Sequence, residues 1–336
     1  METRVLAPDK EGIATAADVI RRRGTVAFPT ETVYGLGADA FSARAVARVF
    51  AAKERPRFDP IIVHVASPED VETLWTNVPP LARTLMERFW PGPLTLVLPR
   101  RRRVPGIVTA GLPTVAVRMP DHPVALALIR AAGRPVAAPS ANRFGRLSPT
   151  HHDAVVDQLG GRIDAIVAGG ATPVGIESTV VSLVEDPPVV LRAGGAPLEA
   201  LREVVPDLRM GAPTGSVASP GSLPRHYVPT TPLLLLEHGS APDEGKPLDR
   251  LECGFLAFRE EWSGFGRVEV LSPRGDLMEA GARLFAALDR LDRAGLAAIV
   301  AEPVPEEGLG VAIMDRLRRG ASGRAHVGPA EVWWVP

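Results

Sequence analysis

Cysteine is almost absent: Cys253 is the only one in 336 residues. A disulfide within the chain is therefore impossible, and a zinc site built on cysteines is excluded. Aromatic residues are scarce at 5%, with Tyr34 and Tyr227 the only tyrosines. Net charge is scarce too, since 38 Lys and Arg face 39 Asp and Glu for a formal charge of -1. Few aromatics and near-neutrality both argue against a stable nucleic-acid binder, which usually carries a basic stripe and stacking rings. No stretch approaches the ~20 apolar residues that cross a bilayer. The first residues, METRVLAPDKEGI, lack the apolar core of a signal peptide. A soluble, cytoplasmic protein with no membrane role is the expectation, and a lone thiol fits a reducing compartment. Three signatures of familiar chemistry are also missing: GxxxxGK[ST], GxSxG and HExxH.

What remains is an ordinary globular composition, 46% hydrophobic and 23% charged. Apolar runs alternate with amphipathic stretches. Thr15–Arg23, Ser42–Lys53, Pro79–Phe89, Val124–Ala132, Thr150–Leu159 and Pro197–Val204 have helical spacing. Ser42 is a good cap, with Val46, Val49 and Phe50 on one face. Between them lie strand-like runs: TVAFP, IIVHVA, LTLVLP, TVAVRMP, PVAAPS, DAIVAG, then STVVSLV with VVLRAG as a closing pair. This mixture predicts an α/β domain, 10–206, around a twisted mixed sheet with flanking helices. Asp207–Pro232 is rich in Pro, Gly, Ser and Thr and reads as a linker or functional loop. From 233 to 336 the alternation of strand and helix predicts a second, small Rossmann-like α/β domain.

Five segments place polar groups at the ends of apolar strands. PTETVYGLG (Pro29–Gly37) leaves a buried strand and reads as a polar turn ending in two glycines for positive φ. In α/β proteins such a strand exit is where ligands bind. AKERPRFDPIIVHVA carries Lys53, where a cation suits a helix C-terminus, then Arg55 and Arg57 in a loop, then His64 among isoleucine and valine. TVAVRMP puts Arg118 inside an apolar strand. A buried guanidinium needs an anion. A buried Asp or Glu would serve, and so would a carboxylate ligand gripped bidentately. APSANRFGRLSPT is crowded with small and hydroxyl residues suited to close backbone approach. GIESTVVSLV and LRAGG bring Glu177, Ser178, Thr179 and Arg192 to the head of paired strands.

Taken together and in this order, PTETVYGLG, KERP with IIVH, TVAVRMP, APSANRFGRLSPT, ESTVVSL and LRAGG resemble the YrdC-type domain of threonylcarbamoyl-AMP synthases. The resemblance covers roughly Ile13 to Leu201, and SPGSLPRHYVP and GLGVAIMDRLRRGAS extend it toward the two-domain form. It implies a YrdC-like fold and a reaction of L-threonine, bicarbonate and ATP giving threonylcarbamoyl-AMP and pyrophosphate, with Mg²⁺ assisting. It implies that Thr32, His64, Arg118, Ala138 and Ser178 surround threonine, Arg118 taking the carboxylate. Lys53 and Arg55 would be the catalytic cations facing the ATP phosphates. Asp59, Thr114, Ser140, Asn142, Ser148, Arg192 and Tyr227 would complete the ATP site, the linker acting as a lid. Asp59 stands where the family often has asparagine, so it favours either ATP or a metal ion. Downstream tRNA threonylcarbamoyl-transferase proteins are the implied partners.

Three other readings compete. A carbamoyltransferase of the hydrogenase-maturation or antibiotic-carbamoylation type shares this domain but is usually longer and carries a second catalytic domain or zinc cysteines. A non-catalytic RNA-binding module would draw on Arg100–Arg103, although charge runs are usually solvated loops. A scaffold whose second domain recruits partners is the third.

Overall fold

The computed structural model describes residues 2–56, 58–211, 226–237 and 245–336. It divides into two compact units: Met1–Phe144 with Ser148–Pro173 and Glu177–Ser222, and Gly145–Leu147 with Val174–Ile176 and Leu223–Pro336. Most of the expected linker, together with Arg57 and part of SPGSLPRHYVP, lies outside the described residues.

The first unit contains β1 (Arg4–Leu6), α1 (Lys10–Arg21), β2 (Val26–Phe28), β3 (Gly35–Asp39), α2 (Ala43–Lys53), β4 (Val63–His64), α3 (Pro80–Phe89), β5 (Leu94–Pro99) and β6 (Thr114–Arg118). It continues with α4 (Pro123–Ala132), β7 (Val136–Ala137), α5 (His152–Leu159), β8 (Ala165–Val167), β9 (Thr179–Ser182), β10 (Val189–Arg192), α6 (Leu198–Arg202) and β11 (Arg209–Met210). The strands form one 11-stranded mixed sheet in the order β1-β8-β2-β3-β7-β4-β6-β5-β9-β10-β11. The closing pair read from the sequence is the antiparallel β9–β10 ladder. Because β11 pairs with β10, the first sheet reaches into the segment read as linker.

Helices α1 and α4 cover one stretch of this sheet. Ala16, Ala17, Val19 and Ile20 meet Val124, Ala125, Leu128 and Ile129 over Val26, Phe28 and Val136. Helix α1 starts five residues earlier than its apolar spacing predicts, because Asp9 caps it by accepting from the Gly12 amide at 2.8 Å. Ser42 caps α2 as expected, accepting from the Ala45 amide. Helix α2 stops at Glu54, in the left-handed region at φ 56°.

The glycines of PTETVYGLG do not serve a turn. Gly35 and Gly37 lie in the extended strand β3, antiparallel to β2, and neither has positive φ. A Cβ on Gly37 would meet the Phe28 ring and Val136 at 2.6 Å. Close packing, not φ, requires glycine there.

The second unit contains β12 (Leu233–Leu236), β13 (Lys246–Asp249), β14 (Cys253–Ala257), β15 (Arg267–Val270), α7 (Leu277–Asp292), β16 (Ala298–Ala301), α8 (Gly310–Gly320), β17 (Gly323–Val327) and β18 (Glu331–Val335). Its sheet runs β13-β18-β17-β12-β16-β14-β15. The five strands from β17 to β15 are parallel and an antiparallel pair closes one edge. This is the Rossmann-like pattern expected from the alternation. Strands β17 and β18 were not evident, since GRAHV and EVWWV show no clean alternation. Cys253 is fully buried in β14, and burial pushes its thiol up to about 11.

Candidate active site

Register across the first sheet builds the site. Strands β4 and β6 are parallel with His64 level with Arg118. Strands β5 and β6 are antiparallel with Leu96 opposite Val117, so the same register sets Thr95 level with Arg118. Strand β9 pairs with β5, and the Ser178 hydroxyl just before it lies 2.7 Å from the Thr95 hydroxyl. One row therefore carries His64, Arg118 and Thr95 across three strands, and Ser178, two residues before the β9 residue level with Thr95, reaches that row through its hydroxyl.

Arg118 is 3% exposed. Its Nη2 donates to Glu31 Oε2 at 2.6 Å and its Nη1 to the Thr32 hydroxyl at 2.9 Å. The anion that the sequence left open between a buried acid and a ligand is thus, in this structure, the Glu31 carboxylate. Burying this pair costs several kcal/mol of desolvation per ion by order of magnitude, offset by their attraction only if the remaining donors and acceptors find partners. They do not all do so. Arg118 Nε, Glu31 Oε1 and His64 Nδ1 are buried without a hydrogen-bond partner among the described residues. Leaving such a group unsatisfied costs about 1–3 kcal/mol each. His64 is held neutral, its imidazole pushed down to about 3 by burial first and by the Arg118 charge second.

A second group forms beneath the 138–144 segment. Lys53 is 1% exposed, and its ammonium donates to the Ser140 carbonyl at 2.6 Å, to the Asn142 carbonyl, and more weakly to Asn142 Oδ1. Burial, reinforced by the nearby Arg55 charge, lowers its pKa well below that of an ordinary lysine. Arg55 donates to the carbonyls of Asp59 and Pro60 and pairs with the Asp59 carboxylate at 2.8 Å, both side chains buried. Asp59 is therefore already engaged by an arginine.

The polar turn before β3 ties these segments together. The Ala141 amide donates to the Tyr34 carbonyl at 2.7 Å, the Leu36 amide to the Pro139 carbonyl at 2.8 Å, and the Tyr34 amide to the Pro149 carbonyl at 2.9 Å. Ala138, buried, donates its amide to the Ile62 carbonyl at 2.9 Å. Ser148 donates to Glu177 Oε1 at 2.5 Å. Arg192 Nε and Nη2 donate to the Ser178 carbonyl at 3.2 and 2.9 Å. Thr114 begins β6, buried. Tyr227 belongs to the second unit, where its ring packs against His226 and Phe285 with the Arg316 guanidinium 5.3 Å from its centroid.

Two participants had no assigned role in the sequence reading. Glu31 was visible inside PTETVYGLG, and its signal was an acid amid buried hydroxyls. Thr95 was hidden inside LTLVLP, where a single hydroxyl breaks an apolar run. The Arg100–Arg103 run is partly structural: Arg100 donates to the Leu112 and Val104 carbonyls, and Arg103 stands over the Phe41 ring at 4.0 Å. No helix among the described residues is long and apolar enough to cross a membrane.

Residues 18–194 match a family model described as Telomere recombination, covering Sua5, YciO and YrdC proteins. Residues 196–322 match one described as Threonylcarbamoyl-AMP synthase, C-terminal domain. The chain is similar to a threonylcarbamoyl-AMP synthase of Pyrococcus abyssi, 45% identical, with 93% of this chain and 94% of the relative covered. It is similar to one of Bacillus subtilis at 43%, covering 96% of each. Among solved structures it resembles P. abyssi Sua5 complexed with L-threonine, with a TM-score of 0.86, 40% identity, and 96% and 98% of the two chains covered.

Proposed function

We infer that this chain, which belongs to the threonylcarbamoyl-AMP synthase family, joins L-threonine, bicarbonate and ATP into threonylcarbamoyl-AMP and pyrophosphate for tRNA modification. The observation that carries the chemistry is the buried row His64–Arg118–Thr95 with the Ser178 hydroxyl bonded to Thr95, in which a guanidinium still has Nε unpartnered among the described residues. A guanidinium held by Glu31 through Nη2, with its Nε unpartnered among the described residues and hydroxyls nearby, suits the carboxylate end of a small hydroxy amino acid.

In this reading Thr32, His64, Arg118, Ala138 and Ser178 hold threonine. Its amine adds to bicarbonate, giving a carbamate and water. A carbamate oxygen then attacks the α-phosphorus and pyrophosphate departs. Such a displacement needs placement and charge neutralisation more than a side-chain nucleophile. Lys53 and Arg55 supply the charge, and Thr114, Ser140, Asn142, Ser148 and Arg192 line the nucleotide's place. Lys53, by holding the Ser140 and Asn142 carbonyls, also fixes the loop that meets the triphosphate. The product would pass to tRNA threonylcarbamoyl-transferase proteins.

Mg²⁺ is implied by the family reaction, but the residues present do not fit a protein-held ion. Asp59 is paired with Arg55. The one cluster of three candidate ligands among the described residues is His151, His152 and Asp153. Two imidazoles suit Mg²⁺ poorly, since it takes oxygen ligands.

The test is pyrophosphate release from ATP and bicarbonate with a panel of amino acids. Release should depend on L-threonine. Release that ignores the choice of amino acid, or none with any, refutes the assignment.

A further inference from the structure

An amino acid in solution is a zwitterion, and a site that desolvates it must answer both charges. The residues assigned to threonine above answer only one. Arg118 suits the carboxylate, while Thr32, Ala138 and Ser178 are uncharged and burial holds His64 neutral. An ammonium carries three donors and no acceptor. Placed beside Arg118 alone, it would face a like charge.

Glu31 supplies what is missing. It is 4% exposed, and among the described residues it is the one carboxylate bonded to Arg118, through Oε2 only. Its other oxygen, Oε1, is buried and has no partner among the described residues, as is true of Arg118 Nε. The pair thus leaves one oxygen of the negative group and one nitrogen of the positive group with no hydrogen bond among the described residues, on two side chains already locked together. Those are the complements of an ammonium and a carboxylate. A zwitterion seated on them keeps the buried charge balanced and satisfies both orphaned atoms.

We propose that Glu31 is a substrate-binding residue, its Oε1 accepting the α-ammonium group of the amino acid while Arg118 Nε donates to the carboxylate. This rests on the proposed function, and it adds a recognition element for the amine, the group that must be positioned to meet bicarbonate.

The experiment is calorimetric binding of two ligands, L-threonine and 2,3-dihydroxybutanoate, in which a hydroxyl replaces the amine. The full chain is used, with a non-hydrolysable ATP analogue present. The wild type should bind the hydroxy acid at least about tenfold more weakly than threonine, a difference of about 1.4 kcal/mol. Equal binding by the wild type overturns the proposal without recourse to any variant. In Glu31→Gln, threonine should weaken by about tenfold or more, while the hydroxy acid changes by no more than about twofold. If both ligands weaken alike, Glu31 merely holds Arg118 and the proposal is wrong. Unchanged threonine binding also overturns it. A wild type that binds no amino acid sinks the proposed function itself and this inference with it. Threonine binding that survives alongside a failed Glu31 comparison leaves the proposed function standing.

Discussion

His64 ties the acid stability of the first unit to its candidate site. In the fold its imidazole is pushed down to about 3, through burial first and the Arg118 charge second, while the carbonyls of Ile62 and Val136 pull the other way. An unfolded histidine titrates near ~6.5. Between those two values the unfolded chain binds a proton that the folded chain refuses. Stability is therefore full above pH ~6.5 and is lost as pH falls toward 3. The loss approaches about 1.4 kcal/mol per pH unit and amounts to about 2 kcal/mol by pH 5. Against a typical stability of about 5–15 kcal/mol this is a large fraction. His64→Gln keeps an N–H donor for the neighbouring carbonyls and cannot titrate. Urea unfolding at pH 7 and pH 5, with matching m values in both proteins, isolates the difference. The wild type should lose about 2 kcal/mol more than the variant over that interval. Equal losses would refute the argument that burial and Arg118 keep this ring neutral. As a direct check, the histidine NMR signal missing from the variant should show no titration in the wild type between pH 7 and pH 5.

Arg118→Ala should abolish threonine-dependent pyrophosphate release and destabilise the fold by about 3–5 kcal/mol, because Glu31 is left buried and unpaired. Near-normal turnover, measured by coupled pyrophosphate assay, would end the role given to this arginine. Cys253, fully buried and with its thiol pushed up to about 11 by burial, should resist a disulfide reagent at pH 7 until the second unit unfolds. Rapid labelling of the native protein would contradict its placement in β14.

The helices and the central strands were legible because their signals are local. Ser42 caps α2 where the sequence places it, and LTLVLP and TVAVR pair as β5 and β6. Strand β3 was not legible. Two glycines in five residues resemble a turn until Phe28 and Val136, from two other strands, are seen to occupy the space that a Cβ would need. The start of α1 was missed for a similar reason: its first turn is fixed by the Asp9 cap rather than by apolar spacing. In the candidate site, the need of Arg118 for an anion followed from its apolar neighbours alone. Which anion it meets did not, because Glu31 is 87 positions away and only the sheet's strand order brings them together. Thr95 was unreadable for the same cause, as its meaning depends on facing Ser178 from another strand.

The register that sets His64, Arg118 and Thr95 level has a consequence for how this gene can change. Alternate residues of a strand face opposite sides, so deleting or inserting one codon between Thr114 and Arg118 would reverse the side from which the guanidinium projects. Many single substitutions in β6 would merely loosen packing. A one-residue change in its length would instead disconnect the arginine from Glu31 and Thr32 while leaving a composition that still reads as a sound strand.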